Sequence, residues 1–187
     1  MSNPLTLEDI DQSLRSSVYR ESYSKKPAID GVKIVEIPNF IGEEGDFSEV
    51  IKLDEKGELL VFPGFKLAQV NRTKMYPKAV KAWHVHLKQD EIWFLRPSDH
   101  LLVGLWDIRK ESQSNGMKMR VSLGGGKSQL LFIPKGVAHG LSNTIHHEVE
   151  MFYFVNQQFN IQEPDEYRID WDYTGPNFWN PERDKQK

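Results

Sequence analysis

Alternating apolar and polar positions in the middle of the chain predict a strand that carries chemistry on one face. Trp83 and Val85 alternate with His84 and His86. Because side chains alternate between the two faces of a strand, both histidines should point one way and the two apolar side chains the other way. A short polar turn then leads to Glu91 and an apolar run, which we expect to return beside the first strand. The pattern therefore places two imidazoles and a carboxylate near one hairpin end.

Short apolar runs separated by turn residues continue along most of the chain. We predict strands at residues 32–37, 50–53, 58–62, 65–72, 101–108, 118–123, 129–133 and 149–155. Regularly spaced short strands of this kind favour a β-sandwich or a β-barrel, so the predicted fold class is all-β. The tail from residue 165 onward carries aromatic residues that we expect to pack against the barrel.

The first residues show a helical rather than a strand period. Apolar side chains recur at spacings of three and four, which predicts one face of an α-helix: Leu7, Ile10, Leu14 and Val18. Thr6 and Asp9 form a capping-box pattern before it, and Pro27 ends it. We therefore predict an N-terminal helical extension over residues 1–30, a barrel over 31–180 and a flexible tail over 181–187.

Composition narrows the possible classes of function. The 187 residues include 39% hydrophobic and 27% charged residues, and the formal net charge is −3. This charge argues against a nucleic-acid partner or an anionic membrane surface. The chain has no cysteine, which excludes disulfides and thiolate catalysis. No apolar run reaches the roughly 18–20 residues of a membrane span, and no signal peptide is recognisable, so we predict a cytoplasmic protein.

A third histidine lies in a second motif between two apolar runs. This motif reads Pro-x-Gly-x-x-His-x-x-x-Asn, with Pro134, Gly136, His139 and Asn143 in register. Together with His84-x-His86 and Glu91, it resembles the paired motifs of the cupin superfamily. Lys78 and Ser98 depart from the pattern, because they stand where that superfamily has glycine.

The cupin resemblance implies a double-stranded β-helix, or jelly-roll barrel, that encloses one divalent metal ion. Three histidines and a glutamate bind the metal in that superfamily, which would be His84, His86, Glu91 and His139 here. Imidazole and carboxylate ligands together suit Fe, Mn, Ni, Cu or Zn.

A more specific resemblance covers about residues 31–180. Several segments, in order, resemble the dTDP-4-dehydrorhamnose 3,5-epimerase family, a branch of the cupins. They are Gly45 to Glu49 (Gly-x-Phe-x-Glu in the family), Gln69 to Asn71 (Gln-x-Asn), Trp83-His84, Asp107 to Arg109, Ile133 to Leu141, and Val149 to Tyr153.

This resemblance implies an isomerase that acts on a nucleotide-linked 4-keto-6-deoxy sugar without a redox cofactor. A base removes the proton next to the ketone, and an acid returns a proton on the opposite face. His84 would be the base, with Asp172 or Asp170 as its partner carboxylate. Tyr153 would be the acid, because a tyrosine pKa near 10 keeps the phenol protonated at neutral pH.

The family also implies how the substrate is held and how the chains associate. Phe47, Glu49, Gln69 and Asn71 match positions that contact the nucleotide and the sugar, and Lys81 stands where the family has an arginine. A homodimer is implied as well, in which an N-terminal segment joins the sheet of the partner.

The departures from the family leave more than one function open. Glu44 replaces an arginine, Glu91 falls at or beside an active-site lysine, and His86 replaces a glutamine. A metal could substitute for the lysine by polarising the ketone. However, the same lone pair of His84 cannot bind a metal and accept a proton at the same time. If His84 is a ligand, Tyr153 and Asp172 are the candidates for the base. The alternatives are a metal-dependent isomerase or dioxygenase on a small keto substrate, and a non-catalytic sugar-binding cupin.

Overall fold

Antiparallel β-strands form the body of the protein. The computed structural model describes residues 3–21, 23 and 27–181. The strands are β1 (Lys33–Glu36), β2 (Phe40–Gly42), β3 (Gly45–Phe47), β4 (Gln69–Met75), β5 (Val80–Val85), β6 (Glu91–Leu95), β7 (His100–Asp107), β8 (Lys118–Gly124), β9 (Gln129–Ile133), β10 (Val137–Ser142), β11 (Val149–Val155) and β12 (Tyr167–Arg168).

Two five-stranded sheets face each other across the core. The first has the order β1-β9-β6-β11-β4 and the second the order β12-β5-β10-β7-β8, while β2 and β3 form a separate two-stranded hairpin. Buried side chains from both sheets meet between them, including Leu95 of β6, Val103 of β7 and Met151 of β11. This arrangement confirms the predicted all-β class. Within the described part of the chain, no helix is long and apolar enough to cross a bilayer.

The strand that carries His84 does not pair with the strand that begins at Glu91. β5 pairs with β10 and β12 in the second sheet, whereas β6 pairs with β9 and β11 in the first sheet. The predicted hairpin is therefore wrong, because the turn between the two strands crosses from one sheet to the other. As a consequence, Glu91 faces the histidines across the interior.

Residues 50–67 form a cover on the outer face of the first sheet. Leu59, Phe62 and Phe65 are buried there against Ile92 and Phe94 of β6. The strands predicted at residues 50–53 and 58–62 are absent. The only strand-like pairings here are the isolated bridges Leu53–Leu59 and Glu58–Lys66. The apolar runs reflect burial in a covering loop, and β4 begins only at Gln69.

The chain after β12 covers the outer face of the second sheet, as predicted for the aromatic tail. A short 3-10 helix, Pro176–Trp179, places Trp179 against Trp83 with 4.6 Å between ring centroids. Trp83 and Trp179 are both buried. Trp83 and Val85 thus pack outward, which leaves His84 and His86 on the inner face as the alternation predicts.

The predicted N-terminal helix does not form. The described residues up to Pro27 contain two short 3-10 helices, Leu7–Asp9 and Arg15–Ser17. The capping box of Thr6 and Asp9 is present, but Leu7, Leu14 and Val18 are exposed. A helix gains most of its stability by burying an apolar face, and these side chains have no such burial. Residues 22 and 24–26 lie outside the described residues.

Contacts divide the chain into a unit from Ala28 to Pro181 and a second unit that contains the segment up to Pro27. The predicted domain boundaries stay predictions. Apart from residue 181, the predicted flexible tail lies outside the described residues.

Candidate active site

A polar cavity of about 760 Å³ lies between the two sheets and continues from the apolar core. Trp93 and Met151 belong to both the core and the cavity wall. The cavity brings together most of the sequence-predicted site residues, which are Gln69, Asn71, Lys81, His84, His86, Glu91, His139 and Tyr153. The segment after β11 closes another side of the cavity, with residues between Gln157 and Arg168.

Three of the four predicted metal ligands converge inside this cavity. The His86 Nε2 lies 3.2 Å from one carboxylate oxygen of Glu91, and the His139 Nε2 lies 3.5 Å from the other. Potential ligand atoms of these three buried residues all lie within 4.8 Å of one another. His84 is outside this group. The structure thus separates His84 from the set that the motif predicted.

Backbone carbonyls determine how the two histidines of this group are oriented. The Nδ1 of His86 bonds to the carbonyl oxygen of Asp165, and the Nδ1 of His139 lies 3.0 Å from the carbonyl oxygen of Val137. A carbonyl oxygen only accepts, so each Nδ1 must carry the hydrogen. Each neutral ring would then direct the lone pair of its Nε2 at the Glu91 carboxylate.

The Glu91 carboxylate is held on both oxygens by neutral donors. Gln89 donates its side-chain N–H to one oxygen at 2.7 Å, and the Trp93 indole N–H donates to the other at 2.6 Å. Burial opposes the charge of Glu91, but His139, His86 and the hydrogen bond from Trp93 keep the pKa of Glu91 below its ordinary value. Glu91 is therefore an anion at neutral pH.

The two histidines respond to Glu91 differently. Burial disfavours the charged form of His86, but its hydrogen bond to Glu91 and the Glu91 charge together raise the pKa of His86. Burial lowers the pKa of His139. In the absence of another cation, the Nε2 lone pair of a neutral His139 would face the Glu91 anion, an arrangement that attracts a proton or a metal ion.

His84 lies beside these residues but has different partners. Arg168 on β12 pairs in register with His84 on β5, and its guanidinium donates to the His84 Nε2 at 2.7 Å. The Nδ1 on the other side of the ring lies 3.4 Å from a Glu166 carboxylate oxygen. Burial lowers the pKa of His84 to about 3, and the charges of His139 and Arg168 act in the same direction. His84 is neutral at physiological pH.

Tyr153 faces the cavity from the opposite sheet. It lies on β11, where strand alternation places Met151 and Tyr153 on the inner face as predicted. Burial and the negative charges of Glu91 and Glu166 raise the pKa of Tyr153. The phenol is therefore protonated at neutral pH and is available as a donor.

The predicted substrate residues divide into two groups. Gln69 and Asn71 line the cavity and are joined by a 2.6 Å hydrogen bond, and Lys81 lines it while donating to the side-chain oxygen of Thr73. Phe47 and Glu49 do not line it. Phe47 is exposed on the β2–β3 hairpin, where it stacks on Phe40.

The predicted carboxylate partner of His84 lies elsewhere. Asp172 and its alternative Asp170 are exposed, occupy the turn after β12 and are not part of the cavity wall. Glu166 takes the place beside His84 instead. The sequence reasoning missed Arg168 on the two-residue strand β12 and Glu166 just before it, because so short a strand carries no periodic signal. The run of charged residues around Tyr167 was the only visible hint.

Asp165 was also missed, because it lies in the irregular segment before β12, although it shapes the site. Its carboxylate accepts backbone N–H bonds from Leu87, Lys88 and Gln89 at 2.8–2.9 Å. These bonds tie the segment after β11 to the turn that links the two sheets. This connection between the sheets also positions His86 and Gln89.

Comparison with known proteins identifies the family. The family model described as dTDP-4-dehydrorhamnose 3,5-epimerase matches residues 26–185. The chain belongs to this family. The predicted resemblance and the predicted class of enzyme, an isomerase of the epimerase type, are thereby confirmed.

A relative with a curated description agrees with this assignment. The chain is 38% identical over 155 residues to the spore coat polysaccharide biosynthesis protein SpsL of Bacillus subtilis, covering 82% of this chain and 98% of that protein.

Two solved structures share the fold, which confirms the cupin-type barrel. A dTDP sugar isomerase from Desulfovibrio desulfuricans G20 superimposes with a TM-score of 0.67 at 21% identity, covering 82% of this chain and 91% of that one. The epimerase RmlC from Legionella pneumophila, in complex with dTDP-4-keto-L-rhamnose, gives a TM-score of 0.65 at 24% identity and covers 78% and 76% of the two chains.

Proposed function

We propose that this protein epimerises a nucleotide-linked 4-keto-6-deoxy sugar by removing and returning a proton next to the ketone. The proposal rests on one observation. This chain belongs to the family, and its His84 and Tyr153 line one cavity from opposite sheets. The Legionella relative that shares the fold binds a dTDP-linked keto sugar, which supports a nucleotide sugar as the substrate here.

The geometry suits a proton transfer that inverts a carbon centre. His84 is neutral and can accept a proton, whereas Tyr153 is protonated and can donate one. Because the two side chains enter from facing sheets, a sugar between them presents one ring face to the base and the other to the acid. The ketone acidifies the neighbouring C–H bond, and the reaction involves no change in oxidation state.

Solvent exchange tests this proposal directly. The purified protein should incorporate deuterium from D₂O next to the ketone of dTDP-4-keto-6-deoxyglucose, as measured by mass spectrometry and NMR. His84→Asn should lower the exchange rate by about 10²–10⁴-fold, since it removes the general base. Tyr153→Phe should permit exchange but suppress formation of the inverted sugar.

His146→Asn is the matched control, because His146 is exposed and is not part of the cavity wall. It should retain the full rate. Binding of the nucleotide sugar with no deuterium uptake by the wild-type protein would contradict the proposal and indicate a non-catalytic sugar-binding cupin.

We also propose that His86, Glu91 and His139 bind one divalent transition metal ion, such as Fe, Mn, Ni, Cu or Zn. The support is the donor set itself: two imidazole Nε2 atoms and a carboxylate converge, and each ring is oriented by a hydrogen bond from its Nδ1, as is common for metal-ligating histidines. A metal with three protein ligands keeps a position open, where it can polarise a carbonyl oxygen. This arrangement favours the metal-dependent isomerase as the second candidate.

Metal content by mass spectrometry tests this second proposal. Protein purified without chelators should contain about one transition metal ion per chain, and the His139→Ala variant should lose it. Metal-free wild-type protein that also fails to bind Zn, Mn, Fe, Ni or Cu on addition would refute the site. The predicted homodimer and the predicted cytoplasmic location stay predictions, and light scattering on the purified protein measures the former.

A further inference from the structure

Arg168 forms a hydrogen bond with the ring nitrogen that His84 would use as a base. β12 has only two residues, and it pairs with β5 so that Arg168 lies directly opposite His84. The guanidinium donates to the His84 Nε2 at 2.7 Å, and a second nitrogen lies 2.5 Å from a Glu166 carboxylate oxygen. Arg168 therefore bridges the ring and the carboxylate.

This bridge determines the tautomer of His84. A guanidinium has no acceptor, so the Nε2 must provide its lone pair to Arg168. The hydrogen of the neutral ring then sits on Nδ1, on the side of Glu166. The lone pair that would take a proton from the sugar is covered as long as Arg168 remains in this position.

Arg168 is the cavity cation best placed to move from the base to the substrate. Its side chain is 57% exposed although it lines the cavity, so it has room to turn. The Lys88 ammonium is paired with Glu163 at 2.7 Å, and the Lys81 ammonium bonds to Thr73 and the Lys74 carbonyl on β4. Among these cations, Arg168 is the one in contact with His84.

We propose that Arg168 leaves His84 when the keto sugar binds and donates hydrogen bonds to the ketone oxygen, where the enolate charge develops. This inference rests on the proposed epimerase function. The ketone carbon is bonded to the carbon that loses its proton, so a cation that starts on the base needs only a short movement to reach the oxygen. The same movement uncovers the His84 lone pair and thus couples substrate binding to activation of the base.

The His84 Nε2 takes the proton, and the electrons of the broken C–H bond move to the ketone oxygen, which gives an enolate paired with Arg168. Glu166 stabilises the imidazolium at Nδ1. Tyr153 then protonates the same carbon from the opposite face and the ketone re-forms. His84 returns its proton to solvent, from which Tyr153 regains one, and nothing is oxidised or reduced.

Substitution of Arg168 separates this role from a structural one. In protein as purified, Arg168→Gln should lower kcat for deuterium exchange by about 10²–10³-fold, the effect expected for one donor to a developing oxyanion. The dissociation constant for dTDP alone should not change. Arg168→Lys, which keeps the charge, should give an intermediate kcat. In Arg168→Ala, guanidinium chloride at a sub-denaturing concentration should restore part of kcat, whereas urea should not.

The control is Arg72→Gln, which removes another strand arginine paired with a glutamate, Glu150, outside the cavity. It should retain wild-type kcat. An unchanged or higher exchange rate in Arg168→Gln would overturn the inference, since Arg168 would then only cover the base. Loss of dTDP binding in that variant would also overturn it, because it would assign Arg168 to the nucleotide. Absence of exchange in the wild-type protein would instead reject the proposed function.

Discussion

Two positions in this protein depart from the pattern of the resembled motifs, and the structure shows what takes the place of the expected residue. Lys78 stands where the cupin motif has glycine, and it adopts a φ of 61°, the left-handed conformation that glycine adopts most easily. The backbone therefore keeps the shape of the motif although the residue type has changed. Arg168 provides a cation beside His84, whereas the sequence predicts that Glu91 replaces the family's lysine. The sequence indicated both departures, but not how the structure accommodates them.

Asp107 shows how a segment that resembles the family can serve stability. Its buried carboxylate accepts hydrogen bonds from Arg109, Ser112 and Ser114. Burial alone would raise the pKa of Asp107, but these bonds outweigh it and hold the pKa well below its ordinary range. The segment that resembled the family at Asp107 to Arg109 thus closes the turn after β7, and it lies outside the cavity wall.

We expect Asp107→Asn to reduce the free energy of unfolding by about 3 kcal/mol at neutral pH, because it breaks a buried ion pair. A depressed pKa in the folded state means that the stabilisation is present above the unfolded carboxyl pKa of about 4 and is lost as the pH falls below it. Urea unfolding at several pH values measures this. The difference from wild type should shrink in acid, and the exposed-site control Asp170→Asn should show no such loss.

At the scale of elements, the short helix Pro176–Trp179 covers the outer face of β5, the strand that carries His84. Trp179 packs on Trp83, and its indole N–H donates to the Trp171 carbonyl at 2.7 Å. A Cβ on Gly140 would lie 2.8 Å from the Trp179 ring and 2.4 Å from the Ala82 Cβ, so this position of β10 accommodates only glycine. The tail therefore packs tightly on the outer face of β5, and His84 lies on the inner face of the same strand.

Trp179→Ala should lower the free energy of unfolding by about 3–5 kcal/mol, the usual cost of removing a buried tryptophan. Because Trp83 then loses its support, exchange activity should fall in parallel at temperatures where the variant is still folded. Chemical denaturation and the D₂O assay measure the two effects. Trp171→Ala is the control, since that side chain is 46% exposed and only its backbone carbonyl accepts the Trp179 bond. Equal stability of the two variants would contradict this account.

At the scale of the whole molecule, the candidate metal group joins the two sheets. Glu91 belongs to the first sheet, whereas His139 belongs to the second and His86 follows β5 of the same sheet. The chain between β5 and β6 crosses from one sheet to the other within this group. An ion bound here would act as a link between the halves of the barrel.

Metal addition should therefore raise the melting temperature of the whole barrel in one transition. A ligand present at a hundred times its dissociation constant stabilises the folded state by about 2.7 kcal/mol. Differential scanning calorimetry on chelator-treated protein with added Zn or Mn measures the shift. Glu91→Gln should abolish it and His146→Ala should keep it. A shift of the same size in Glu91→Gln would show that the metal binds elsewhere.

The sequence by itself determined the all-β class, the family and eight of the residues that line the cavity. Alternation of side chains is a local property with a period of two, so it predicted correctly that His84 and His86 share the inner face and that Tyr153 points inward. The resemblance to the paired cupin motifs likewise implied that His139 and Glu91 share one site. Alternation needed no knowledge of which strands pair, whereas the predicted convergence of Glu91 assumed a hairpin that does not form.

Only the tertiary structure decided how these residues are combined. Pairing between strands depends on hydrogen bonds and burial between distant segments, which local periodicity does not contain. For this reason the expected β5–β6 hairpin became a crossing between sheets, the covering loop at residues 50–67 resembled strands, and the N-terminal apolar face did not become a helix. For the same reason, Arg168 on the two-residue strand β12 and Glu166 just before it reached His84 from more than eighty residues away in the sequence.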